Sequence, residues 1–303
     1  QLCLPASDPP IRRSFIPDRR GEPSVSDALR LDNGHCVWLA TSQERTRGKR
    51  IPFGKMVIIC RGAQRSRLHP RAETAPDMSN TRVKLLDTAP IPNNRGELGL
   101  YQHGNDFLIK IVGGQDLMST RTHGSADALA DLTCPEVASR VRPRVLIGGL
   151  GVGFTLAAAL RQLGPDAEVV VAELVPAVVE WNRGPVGEHA GNPLRDERVT
   201  VEEVDVSLLL RAGGPSFDVI LLDVDNGPEG LTQKSNDWLY SKAGLNVVYR
   251  ALRPKGVLGV WSAGSDRAFT KRLVTAGFEV NEVPVRAHRG KGARHLIWVA
   301  RIP

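Results

Sequence analysis

Hydrophobic and polar positions fall into three regimes along the chain. Residues 1–77 show no sustained period: Pro and Arg are scattered (Pro9, Pro10, Arg12, Arg13, Pro17, Arg19, Arg20) and apolar patches are short. Residues 83–89, 97–103 and 106–112 read as three short strands, the last two joined at Gly104-Asn105, a pair permissive of positive φ and a strong hairpin signal. A helix is predicted over 125–134, on the spacing of Ala128, Leu129 and Leu132, with Pro135 interrupting it.

From Arg144 the pattern changes to continuous apolar runs alternating with helices. Strands are predicted at Val145-Leu146-Ile147, 168–172, 199–204, 217–222 and 256–261. Helices fall at 154–163, from 176, up to 252, and over 266–276 with Gly277 as a stop. Strands without polar alternation, each followed by a helix, predict a parallel sheet covered on both faces. Residues 279–286 and 295–301 have no helix between them and predict an antiparallel pair. The expected fold is α/β: a doubly wound, Rossmann-like sheet with a C-terminal antiparallel strand pair, preceded by a small N-terminal β module. Ligands are then expected beyond the carboxyl ends of the strands. The expected organisation is a basic leader or non-native upstream segment over 1–77, with Met78 as the true start; a β-hairpin module over 78–123; and a nucleoside-binding transferase domain over 124–303.

Composition narrows the function classes. The chain has 303 residues and a formal charge of +7. Residues 1–77 hold 14 Lys and Arg against 8 Asp and Glu, so nearly all the excess charge sits there, and the rest is close to neutral. A nucleic-acid partner is therefore not expected outside a basic arm. No apolar run approaches the roughly 18–20 residues of a membrane helix, so no membrane partner is expected. Cys3, Cys36, Cys60 and Cys134 have no metal-ligand spacing, which predicts no metal site and a cytoplasmic, reducing location.

The candidate chemistry lies at strand ends. Ile147-Gly148-Gly149-Leu150-Gly151-Val152-Gly153 follows the first core strand and opens a helix. Gly149, Gly151 and Gly153 allow a tight turn and close backbone approach, and the helix start supplies N–H donors. The third glycine falls one place early for a dinucleotide fingerprint, which favours a nucleoside without pyrophosphate; simple helix–strand packing is the bland reading. Glu173, about 20 residues on, can accept both ribose hydroxyls. Asp205, at the end of the third strand, can accept an exocyclic adenine amine or simply cap a helix. Asp223 and Asp225 close Phe217-Asp218-Val219-Ile220-Leu221-Leu222-Asp223-Val224-Asp225-Asn226-Gly227-Pro228. A carboxylate at the mouth of an apolar strand tends to a raised pKa and suits proton transfer from an amine. Asp223 is the candidate for that step. Asp225 can hold a cationic amine or serve a capped turn. Arg121 or His123 could touch a substrate, with loop polarity the bland reading of both, and Trp261 ends the fifth core strand facing the same crevice but reads as core rather than cage. The run Arg286-Ala287-His288-Arg289-Gly290-Lys291-Gly292-Ala293-Arg294 reads as a solvated basic turn, and His295 is open between cavity and solvent.

These residues together resemble the spermidine synthase family (polyamine aminopropyltransferases), a branch of the class I S-adenosylmethionine methyltransferase fold. The resemblance spans about residues 83–300. It implies a transferase using decarboxylated S-adenosylmethionine or S-adenosylmethionine itself. Gly149, Gly151, Glu173 and Asp205 would then hold the nucleoside, Asp223 would deprotonate an attacking amine of a small acceptor, and a homodimer would form through the β module. The sequence departs from the family at Asn226-Gly227-Pro228, where the family has Asp-Pro. It departs again at 115–127, where the family's Asp-Glu and Tyr-His-Glu are missing. Methyl transfer and a non-catalytic nucleoside-binding relative are the alternatives that remain.

Overall fold

In the computed structural model, residues 37–40, 56–59, 83–92, 96–224, 227–228, 237–288 and 291–303 are described. The chain divides into two compact units, Gln1–Ala75 and Pro76–Pro303. In the first, strands β1 (Val37–Ala40) and β2 (Met56–Ile59) pair antiparallel, with Val37 opposite Ile59. The rest of the predicted leader, Met78 and Asp225 lie outside the described residues. Everything that follows concerns the second unit.

An antiparallel four-stranded sheet comes first, in the order β3 (Lys84–Pro90), β4 (Glu97–His103), β5 (Asp106–Ile111), β6 (Asp116–Ser119). Its hairpin turns at Gly104, whose φ of +65° is the left-handed conformation that glycine adopts without penalty. Strand β6 was not expected; no element was predicted between residues 112 and 125. It forms because Leu108 and Ile109 pair with Ser119 and Met118, extending an edge already built by β5.

The main sheet has seven strands in the order β9 (Val199–Glu202), β8 (Glu168–Ala172), β7 (Arg144–Gly148), β10 (Phe217–Leu222), β11 (Leu252–Ser262), β13 (Lys291–Arg301), β12 (Glu279–His288). The pairings from β9 through β11 are parallel, and both pairings of β13 are antiparallel. The expected strand pair is thus present, with its second member inserted between β11 and β12. The fold is Rossmann-like and doubly wound, and chain direction across the sheet reverses between β7 and β10.

Apolar strands without alternation are explained by their two faces. Val145, Ile147, Val219, Leu221, Ile297 and Val299 pack on one side. That side is covered by α1 (Gly124–Asp131), α2 (Phe154–Gln162) and α3 (Pro176–Arg183). Leu146, Ile220, Leu222, Leu258, Val260 and Trp298 pack on the other. There they meet α5 (Val206–Arg211), α7 (Lys242–Ala251) and α8 (Arg267–Thr275). Two one-turn helices, α4 (Pro185–Glu188) and α6 (Asp237–Tyr240), complete the set. Caps fix the starts: Asp266 accepts from the N–H groups of Ala268 and Phe269, and Ser241 from that of Gly244. Beneath the sheet the buried Asp218 carboxylate is clamped by Arg140 (2.6 Å) and Arg253 (2.7 Å), which compensates its desolvation. No helix of the described residues is long and apolar enough to cross a membrane.

Candidate functional site

The reversal between β7 and β10 opens a crevice at the carboxyl ends of the strands, where wound sheets bind ligands. It holds a cavity of about 570 Å³. The four-stranded sheet contributes an apolar wall through Ile91, Leu98, Ile111, Leu117 and Met118. The main sheet contributes the glycine turn, strand-end carboxylates and a mixed polar rim.

The turn after β7 takes three left-handed residues: Gly149 (φ +87°), Gly151 (φ +56°) and Gly153 (φ +83°). A Cβ on Gly149 would lie 2.5 Å from the Asp223 carbonyl oxygen, and one on Gly151 would lie 2.9 Å from the Met118 sulfur. Both line the cavity. Gly153 was read with them as a ligand contact, but it is buried and absent from the cavity wall. A Cβ there would meet Asn182 and Pro193, so its lack of a side chain serves the packing of α2 against the α3–α4 region.

Glu173 follows directly on β8 and turns back onto this bend. Its carboxylate accepts from the Leu150 and Val175 N–H groups, each at 2.9 Å. Burial pushes its pKa up, and the backbone donors oppose that rise. Asp205 does not end a strand as expected. Strand β9 stops at Glu202, and Asp205 lies three residues on as the cap of α5, accepting from Ser207 N–H at 2.8 Å. Its side chain also lines the cavity, so the capping and ligand-facing readings are compatible.

Asp223 stands one residue beyond β10 at the cavity floor. It keeps an opening onto the cavity, while protein atoms crowd its carboxyl, and this desolvation raises its pKa. The Thr155 hydroxyl donates to it at 2.6 Å and lowers the pKa in part; the same hydroxyl reaches the Ala126 carbonyl at 3.4 Å. The floor is therefore tied to the starts of α1 and α2.

Three further residues complete the wall, of which the sequence left His295 undecided and missed Ser125. Trp261, read as core at the crevice, is half-buried, packs against the core and lines the cavity. His295 lines it too, with Nδ1 2.9 Å from the Ser125 hydroxyl and its ring edge-on to Trp261 at 4.7 Å between centroids. Burial lowers the His295 pKa. Ser125 and His295 are 170 residues apart, and no local pattern announces such a pair. His123 does not line the cavity; it binds Asp127 at 2.7 Å and stacks on Phe154. Arg121 turns to Asp106 on β5 at 2.6 Å.

The arrangement offers a buried carboxylate seated on the glycine turn at one end and a desolvated carboxylate at the floor. Glu173, Asp205 and Asp223 line it, with no Lys or Arg side chain among the described lining residues. This donor set fits a neutral nucleoside carrying a positive charge at its far end.

No family model matches the chain, and no curated protein matches it. Solved structures match the fold. A spermidine synthase in complex with the transition-state analogue AdoDATO superposes with a TM-score of 0.56 at 15% identity, covering 72% of each chain. The spermidine synthase from Thermotoga maritima gives 0.54 at 15% identity, covering 73% of this chain and 72% of that one. A probable spermidine synthase from Corynebacterium glutamicum ATCC 13032 gives 0.51 at 15% identity, covering 73% and 81%. The chain has the fold of the spermidine synthases.

Proposed function

We propose that this chain is a transferase that binds an adenosyl sulfonium, decarboxylated S-adenosylmethionine in the first instance, and passes its aminopropyl group to an amine. One observation carries the reading: Glu173 is seated against the glycine turn, and a desolvated Asp223 forms the floor of the same cavity at the sheet's reversal point. The Glu173 carboxylate and the Gly149–Gly151 backbone hold the sugar, and Asp205 lies within reach of the base. The sulfonium supplies an electrophilic carbon and a leaving group. The acceptor's nitrogen lone pair attacks that carbon, a C–N bond forms, and the C–S bond breaks with its electron pair passing to sulfur. Neutral methylthioadenosine leaves, and Asp223 takes the nitrogen's proton. A carboxylate whose pKa is raised by burial is the better proton acceptor near neutral pH.

Asp223→Asn keeps size and the Thr155 contact and removes the base. Turnover should fall by roughly 10²- to 10⁴-fold, while methylthioadenosine affinity by calorimetry stays within about twofold. Unchanged turnover removes Asp223 from the chemistry. Calorimetry with both forms of the sulfonium separates the transfers: preference for the carboxylated form points to methyl transfer instead. If neither form nor methylthioadenosine binds, the transferase reading is wrong.

A further inference from the structure

The strand order sorts charge along the cavity rim. The carboxylates Glu173, Asp205 and Asp223 follow β8, β9 and β10, on one side of β11. On the other side, β13 and β12 bring His295 and His288 into the cavity wall. Trp261, at the end of β11, stands between the two groups. Neighbouring strands lie about 4.8 Å apart, so the rim passes from acidic to imidazole-bearing over about 10 Å between β10 and β13.

Trp261 and His295 share one face, and Asp223, one residue beyond β10, lines the same cavity. Leu221, Trp261 and Ile297 all pack in the core beneath α1 and α2, and residues two apart on a strand point the same way. His295 falls opposite Val285, which packs in that same core. The hairpin that carries the imidazoles is also basic. Arg286, Lys291 and Arg294 lie exposed within it, and Arg286 is tied across the turn to the Gly292 carbonyl at 3.0 Å. Ala287, Gly292 and Ala293 of the same hairpin line the cavity, so the residues that carry these cations adjoin its lip along the strands, and the field of exposed charges reaches over about a Debye length, roughly 8–10 Å. The described groups nearest His295 on α1 are the Ser125 hydroxyl and, further along, the His123–Asp127 pair. The Asp127 carboxylate is already shared between His123 and Arg161.

Resting on the transferase reading above, we infer that the acceptor is an amine that also carries an anionic group, its nitrogen at Asp223 and its carboxylate or phosphate at His295 beneath the basic β12–β13 hairpin. The imidazole, with Nδ1 engaged by Ser125, offers its other ring nitrogen to the anion. The hairpin cations draw a negative group in and oppose a second ammonium. An acceptor with a cation at both ends would meet a matching carboxylate at Asp223 and repulsion across Trp261.

Probes of one length decide this: 4-aminobutanoate, 4-amino-1-butanol and 1,4-diaminobutane present a negative, neutral or positive far end. 3-Aminopropyl phosphate separates phosphate from carboxylate. Each is titrated calorimetrically into the full chain, free and saturated with methylthioadenosine. At low salt an anionic probe should bind at least tenfold tighter than the diamine, with the amino alcohol between. The gap should narrow at 0.5 M NaCl and shrink severalfold in the exposed Lys291→Glu/Arg294→Glu double variant. His295→Asp should reverse the order. Tighter binding of the diamine, no binding of any probe, or an order untouched by the hairpin changes overturns the inference. Failure of methylthioadenosine itself to bind defeats the transferase reading instead, while the order of the probes on the free chain still decides this one.

Discussion

Replacing Thr155 by Val removes one hydroxyl at almost constant volume, at a site that is 2% exposed. That hydroxyl donates to the Asp223 carboxylate at 2.6 Å, the side-chain hydrogen bond that opposes burial in setting its pKa. A hydrogen bond to a charged group contributes about 1.5–3 kcal/mol, and one to a neutral group about 1 kcal/mol. The sign follows from linkage. Burial holds the folded pKa of Asp223 above its ordinary 3.8, so the folded state binds the extra proton. This group's contribution to stability is fully present below pH 3.8, falls as pH rises towards the folded pKa, and is level beyond it. Without the hydroxyl the folded pKa rises further, and the decline continues to higher pH. Thr155→Val should therefore be destabilising by about 1 kcal/mol where Asp223 is protonated and by about 1.5–3 kcal/mol where it is ionised. Urea unfolding of both proteins over a pH series reads the difference between the acid and alkaline limits directly. The acid limb of kcat/KM should also move to higher pH, with methylthioadenosine affinity unchanged. A destabilisation that stays the same across the whole pH series would show that the hydroxyl does not act on the carboxylate's charge, and the account of Asp223 as a tuned base would fall.

Two further outcomes test the nucleoside end. Glu173→Ala leaves the Leu150 and Val175 N–H groups without their acceptor and should weaken methylthioadenosine at least tenfold by calorimetry, together with a loss of about 1–3 kcal/mol in stability. Gly149→Ala must hold a Cβ at φ +87° and 2.5 Å from a backbone oxygen, so it should cost more than the roughly 1–2 kcal/mol of the left-handed conformation alone. Gly104→Ala, at φ +65° with open space around it, should cost only that conformational amount, and equal losses in the two variants would contradict the crowding at Gly149.

What could be read from the sequence was local in origin. Phe217–Leu222 announces a strand because five of its six residues are apolar in an unbroken run apart from Asp218, whose distant arginine partners the pattern does not need to show. Asp106–Ile111 follows its hairpin because Gly104 fixes the turn. Asp116–Ser119 has too few residues and too mixed a pattern to register as a strand, and it exists only because β5 offers an edge. Trp261 was read as core at the crevice, and it both packs against the core and lines the cavity. Asp205 carried two readings since one carboxylate can cap a helix and face a ligand together. The pairing of His295 with Ser125 depends on β13 entering the sheet beside β11, a matter of topology with no trace in spacing.

The slot that β13 occupies has a consequence for biosynthesis. During translation β11 and β12 emerge before the strand that must lie between them, so β12 cannot join the sheet edge until residues 291–301 have left the ribosome. His295 arrives with that segment. A nascent chain therefore carries glycine bend and floor carboxylate early, yet presents no finished pocket until residues 291–301 are in place.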